Sequence, residues 1–267
     1  MVEAHYPAIP LKGGERTVAI VAKEMPKRLV VFVHGFRGEA LATWNDFPLL
    51  VRKDPDLADT DFVFYGYDSV GTRATTLAGQ LARFLADISH PTKHRRYPMR
   101  NAIGTQAAYG SILLVCHSLG AIVARRAMLI AHDSSPRAEW VDRSGLLLFA
   151  PAHTGASAVR LLNELPGYSK LIALLARQRM PVLEDLSEGC MTLQDLLDDS
   201  RRVLRNGHAF VKAKLVVNAG TERVVNDHRF LEDALPFEVV TRKNHSTVCK
   251  PNGRYYPEPL EFLKRVL

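Results

Sequence analysis

Cysteine is scarce in this chain: Cys116, Cys190 and Cys249 stand far apart among 267 residues, with no C-x-x-C pair. That pattern excludes a disulfide framework and a zinc site built on cysteine pairs. A reducing compartment, the cytoplasm, fits it best. Long apolar runs are also missing, and none approaches the ~20 residues needed to span a bilayer. The opening segment, Met1 to Pro7, lacks the basic-then-apolar order of a secretory signal. There is no internal repeat, no low-complexity tract and no interdomain linker. Acidic residues are outnumbered 28 to 35, a net charge of +7. The excess is densest in Lys93-His94-Arg95-Arg96-Tyr97-Pro98-Met99-Arg100, which reads as a solvated loop able to meet an anionic surface. No nucleic-acid-binding motif accompanies it, so nucleic acid is not an expected partner.

What is present is a globular composition, 47% hydrophobic and 24% charged, sufficient for one large core. Continuous apolar runs recur at Leu29–Val33, Ile112–Val115 and Gly145–Ala150, the mark of strands covered on both faces. Weaker strand signals lie at Thr17–Ala22, Asp61–Tyr67, Lys214–Ala219 and Phe237–Val240. Helical spacing falls between them, over Ala40–Val51, Thr75–Ile88, the residues after Gly120, and Pro259–Val266. Alternating strands and helices predict right-handed βαβ units and a mainly parallel sheet flanked by helices. A polar insertion is expected from His90 to about Gly110. A helical cap is expected over about 156–206, broken at Pro166-Gly167 and Met180-Pro181.

One segment carries chemistry. The run Ile112-Leu113-Leu114-Val115 ends in Cys116-His117-Ser118-Leu119-Gly120 and passes directly into Ala121-Ile122-Val123-Ala124. Strand, sharp turn and helix are the context of a nucleophile elbow, in which the serine hydroxyl stands clear of the sheet over a helix N-terminus. The competing reading is an ordinary helix N-cap serine. Cys116 occupies a position where glycine is usual, and some strain is expected there.

A serine hydroxyl needs a base, and the base needs an acceptor to fix its tautomer. His245, just past the last strand, is the candidate base. Glu222, in Gly220-Thr221-Glu222-Arg223-Val224, is the candidate acid, with Asp227 the alternative. Asp68 comes too early in chain order and is expected to organise a nearby loop. The oxyanion donors are expected to be the backbone N–H groups of Leu119 and Phe36. His34 reads as structural, and His208 and His228 as surface residues. His117 adjoins the nucleophile, with its ring expected to point elsewhere.

The motifs Val31-Phe32-Val33-His34-Gly35-Phe36, Tyr65-Gly66-Tyr67-Asp68-Ser69, Cys116-His117-Ser118-Leu119-Gly120, Ala150-Pro151-Ala152-His153-Thr154-Gly155 and Asn244-His245-Ser246-Thr247-Val248-Cys249 occur in that order. Together they resemble the serine esterase and lipase-like branch of the α/β-hydrolases, including serine-active-site-containing proteins and GPI-inositol deacylase-like enzymes. The resemblance implies a single α/β-hydrolase domain over 1–267, a Ser118–acid–His245 triad, and no cofactor or metal. The expected activity is hydrolysis of lipid-like or medium-chain acyl esters, with peripheral contact to an anionic membrane as a further expectation. The alternatives are a thioesterase or deacylase of acylated proteins, and a catalytically silent binding protein of the same fold.

Overall fold

The computed structural model describes residues 3–11, 17–89, 109–153, 155–156, 180–187, 189–222, 224 and 237–267. Within them an eight-stranded sheet forms from β1 (Ile9–Pro10), β2 (Val18–Ile20), β3 (Arg28–Val33), β4 (Thr60–Tyr65), β5 (Ser111–His117), β6 (Ser144–Phe149), β7 (Ala213–Ala219) and β8 (Phe237–Val240). Their order is β1-β2-β4-β3-β5-β6-β7-β8. The first two strands run antiparallel, and every pairing from β4 onward through the sheet is parallel. This is the α/β-hydrolase fold.

Alternation along each strand sorts the core into two layers. Val31, Val33, Leu114, Cys116, Leu146 and Leu148 face one apolar cluster. Helices α2 (Ala74–Ser89) and α3 (Leu119–Asp133) cover that face. Phe32, Phe64, Val115, Leu147 and Phe149 face the other cluster. It is covered by α1 (Phe47–Lys53) and by the C-terminal helix α6 (Glu258–Val266). Between α3 and α6, the helices α4 (Pro181–Asp185) and α5 (Met191–Arg205) are described. They fall within the stretch expected to form a cap; α5 packs against α3, joined to it by the Arg126–Asp199 and Arg202–Asp133 ion pairs, and residues 157–179 and 188 of that stretch lie outside the described residues.

The helix expected over 40–51 starts later. Ala42–Trp44 form a single 3-10 turn, and Asn45 at φ 48° turns the chain before α1 begins. Pro48 explains the boundary: it has no N–H to donate, so it is accommodated in the first turn of α1, where no intrahelical partner is needed.

The sheet order places the site. The chain leaves β3 toward β4 on one side, while β5 pairs on its other side. The crevice past the carboxyl ends of β3 and β5 is therefore the switch point of the sheet, where α/β folds hold ligands. Val33 pairs with Cys116, His117 with Phe149, and Ala219 with Val240. The loops after these strands therefore emerge along one edge, and they carry Phe36, Ser118, Glu222 and His245.

Candidate active site

Ser118 is the N-cap of α3, at φ 51° and ψ −118°. A non-glycine residue rarely adopts that geometry, and such strain persists only where surrounding contacts enforce it. The enforcement is visible at Gly120, where an added Cβ would lie 2.1 Å from the Val33 carbonyl oxygen. Only glycine lets α3 approach β3 this closely. Gly35 is nearly as confined, with an added Cβ 3.0 Å from Ser118 Cβ and from His117 Nδ1. Cys116 is fully buried in the apolar layer beneath α3, and desolvation pushes its thiol pKa well up. It is an inert packing group.

The Ser118 hydroxyl makes no capping bond to α3. It lies 2.9 Å from His245 Nε2, and His245 Nδ1 lies 3.1 Å from Glu222 Oε2. Because a carboxylate only accepts, Nδ1 carries the imidazole proton and Nε2 is left to accept from the serine hydroxyl. The His245 and Glu222 side chains are 2% and 3% exposed, so bulk water does not screen the pair. The second Glu222 oxygen, Oε1, accepts the Val224 N–H at 2.7 Å, and Val224 is itself buried. Glu222 is the carboxylate brought to His245; Asp227 and His228 lie outside the described residues.

The acid and base loops are stitched together. Gly220 N–H donates to the Val240 carbonyl at 2.8 Å, and the Thr221 N–H and hydroxyl both donate to the Lys243 carbonyl. On either side of His245, Asn244 and Thr247 exchange backbone-to-side-chain bonds at 3.0 Å. Tyr256 donates its hydroxyl to the Val248 carbonyl at 2.8 Å, and Lys243 Nζ stands 3.8 Å over the Tyr256 ring. Asn45 Nδ2 donates to the Pro251 carbonyl at 2.7 Å. This last contact spans most of the chain, and no local pattern announces it.

The loop after β3 is braced differently. His34 is buried, stacks on Tyr67 at 4.1 Å and bonds the Gly35 carbonyl through Nδ1. Tyr67 donates its hydroxyl to the His34 carbonyl. Burial lowers the His34 pKa to about 4, so the ring is neutral at ordinary pH. This bracing orients the Gly35–Phe36 backbone beside Ser118. Among the described residues, neither the Phe36 nor the Leu119 N–H is given to a backbone acceptor. Asp68 organises its own loop, accepting the Val70 and Gly71 N–H groups at 3.0 Å each. His208 lies away from the site, its ring 4.8 Å from that of His132.

His117 does more than stand beside the nucleophile. Its ring turns onto the base loop, with Nε2 2.8 Å from the His245 carbonyl. Residues 157–179, expected to be part of a cap, and the basic Lys93–Arg100 cluster lie outside the described residues. Among the described residues no helix is long and apolar enough to cross a membrane.

A family model described as the alpha/beta hydrolase family matches residues 30–248. Among solved structures, the chain is similar to the lipase BlEst2 of Bacillus licheniformis, at 18% identity and a TM-score of 0.52, over 97% of this chain and 96% of that one. It is also similar to a monoacylglycerol lipase of Paleococcus ferrophilus, at 16% identity and a TM-score of 0.49, over 91% and 96%. A third similar structure is the phospholipase PlaB of Legionella pneumophila, at 17% identity and a TM-score of 0.48, over 72% of this chain and 38% of that one. At such identities the likeness is one of fold. No curated protein sequence matches the chain significantly.

Proposed function

We propose that this chain, which belongs to the alpha/beta hydrolase family, is a serine hydrolase of carboxylic esters. The observation that carries the reading is the hydrogen-bonded series from Ser118 through His245 to Glu222, at 2.9 and 3.1 Å. In the proposed cycle Ser118 Oγ attacks the ester carbonyl while His245 Nε2 takes its proton. The resulting imidazolium is stabilised by Glu222, and the alkoxide oxygen by the N–H groups of Leu119 and Phe36. Collapse of the tetrahedral adduct breaks the bond to the alcohol, which leaves with the proton returned from His245. A water molecule then attacks the acyl-enzyme by the same route, releasing the acid and regenerating Ser118.

An apolar acyl group is the favoured substrate part. Phe36 and Leu119, which carry the proposed oxyanion N–H groups, and Ala152, whose N–H donates to the Ser118 carbonyl, are buried members of the apolar core, so hydrocarbon side chains stand next to the nucleophile. Lipid-like or medium-chain acyl esters therefore head the proposed substrates. Intact bonding at all three groups supports turnover over a silent binding role.

Fluorophosphonate labelling tests the reading, together with turnover of p-nitrophenyl esters of increasing chain length and of matched thioesters. Ser118→Ala should abolish labelling and lower kcat by about 10⁶-fold, and Glu222→Ala should lower kcat by about 10⁴-fold. A folded wild type that neither labels nor turns over any ester would sink the proposal. Preference for the thioesters would move it to the deacylase class.

A further inference from the structure

His117 is a buried titratable group at the site that the proposed cycle does not use. Its Nε2 lies 2.8 Å from the carbonyl oxygen of His245, a residue 128 positions away. A carbonyl only accepts, so this nitrogen carries the proton and donates. The opposite edge of the ring faces the loop after β3, where a Cβ added to Gly35 would meet Nδ1 at 3.0 Å. The imidazole is thus lodged between the two loops that carry the Phe36 N–H and the base.

Its place in the chain adds weight. His117 is the last residue of β5, paired with Phe149 of β6 and directly before the nucleophile. The base loop hangs from β8, an edge strand of four residues with alternate residues exposed. A bond from the central strand to the His245 backbone lends the base the rigidity of the sheet interior. From this geometry we infer that His117 is a positioning residue, whose Nε2–H fixes the His245 main chain so that the His245 ring stays aligned on Ser118. The inference rests on the hydrolase reading.

The electrostatics agree with a neutral donor. The His117 and His245 rings are 5.0 Å apart, and the His117 pKa lies at about 3, lowered above all by burial. The charges on His245 and Lys250 act in the same direction as burial, while the bond to the His245 carbonyl and the charge on Glu222 act the other way. A second cation at this distance would oppose the imidazolium that His245 must become. His117 therefore contributes a hydrogen bond without a competing charge.

Two substitutions separate donation from mere packing. His117→Phe fills the space but cannot donate, whereas His117→Gln places an amide N–H near the position of Nε2. In the ester assay, His117→Phe should lower kcat about 10- to 100-fold, the range expected when a catalytic group drifts from alignment. KM should stay within about twofold, since no substrate contact is removed. His117→Gln should recover kcat to within about threefold of wild type, one net hydrogen bond having been restored. Proton NMR gives a readout independent of turnover. The low-field imidazole N–H signal of His245, identified by its absence in His245→Gln, should persist in His117→Gln and vanish in His117→Phe. Equal kcat and equal signals in folded His117→Phe and wild type would overturn the inference, as would His117→Gln failing as badly as His117→Phe. If the wild type hydrolyses nothing, the hydrolase reading fails, while the NMR comparison still decides whether His117 orders His245.

Discussion

The site has two arms, and they are built on different principles. The nucleophile arm is local: β5 is paired on both sides, the turn occupies Cys116 to Gly120, and α3 follows at once. Its geometry is enforced by backbone contact, since Gly120 lies so close to Val33 that a methyl group has no room. The base arm is assembled from a distance. His245 stands on a loop at the sheet edge and is held through His117, Thr221 and Asn45, which come from three other parts of the chain, and through Tyr256 at the loop's own far end. One arm is rigid because it cannot move; the other is rigid only while several separate bonds persist. Damage to the first should be abrupt, and damage to the second graded.

Gly120→Ala should break the nucleophile arm outright. The added Cβ meets backbone oxygen rather than a side chain that could swing away, so α3 must shift off β3. Overpacking of this severity costs about 3 kcal/mol or more, a fall in melting temperature of about 6–12 °C for a domain of this size. Fluorophosphonate labelling should slow by at least about 100-fold, because the shift moves Ser118 and the Leu119 N–H together. Gly79→Ala is the control. It lies in α2 with open space around its added Cβ, and replacing a mid-helix glycine should raise stability by about 0.8 kcal/mol. A Gly120→Ala protein with wild-type melting and labelling would refute the close-contact account.

The same contrast explains what can be read from the sequence. The aliphatic run at 112–115, the following Ser-x-Gly and the apolar helix are neighbours in the chain, so the elbow is legible in the sequence itself. So are the strands of the central sheet, because strands buried on both faces are continuous apolar runs. The base arm is legible only in part. His245 and Glu222 stand out because each follows a strand, but only the bond to Nδ1 separates the acid from Asp227. The direction of the His117 ring depends on a carbonyl 128 residues away, and no local pattern encodes that. The late start of α1 does have a local signal in Pro48, which the apolar spacing from Ala40 onward obscures.

Acid should loosen both arms through their buried imidazoles. Burial lowers the pKa of His34 to about 4 and of His117 to about 3, and holds that of His153 well below its ordinary value, against about 6.5 in the unfolded chain. Below pH ~6.5 the unfolded state binds protons that the folded state refuses, so stability is full above that value and is lost as pH falls toward 4 and 3. From about pH 7.5 to 5.5 the three groups together should remove about 4 kcal/mol, measurable by urea unfolding at each pH. His117→Gln should remove about a third of that slope. If its slope equals that of wild type, His117 is not the neutral buried group described above.

The base arm should yield by smaller steps, and Asn45 offers a clean one. Its φ of 48° is left-handed, a conformation that glycine adopts freely and alanine adopts only at a cost of about 1 kcal/mol. Asn45→Gly therefore keeps the backbone and deletes only the bond to the Pro251 carbonyl. A net loss of about 1 kcal/mol is expected, lowering the melting temperature by about 2–4 °C. Asn45→Ala adds the backbone penalty and should roughly double that fall. Because the Pro251 turn closes the loop that carries His245, kcat should drop by about two- to threefold in both variants alike, well short of the effect of His117→Phe. Both variants share the lost bond and differ only in backbone strain, so stability should separate them while activity does not. If kcat tracked melting temperature across the pair, strain around Asn45 would be reaching His245 directly. The base arm would then be a single stiff unit like the nucleophile arm, and the contrast between the two would fail.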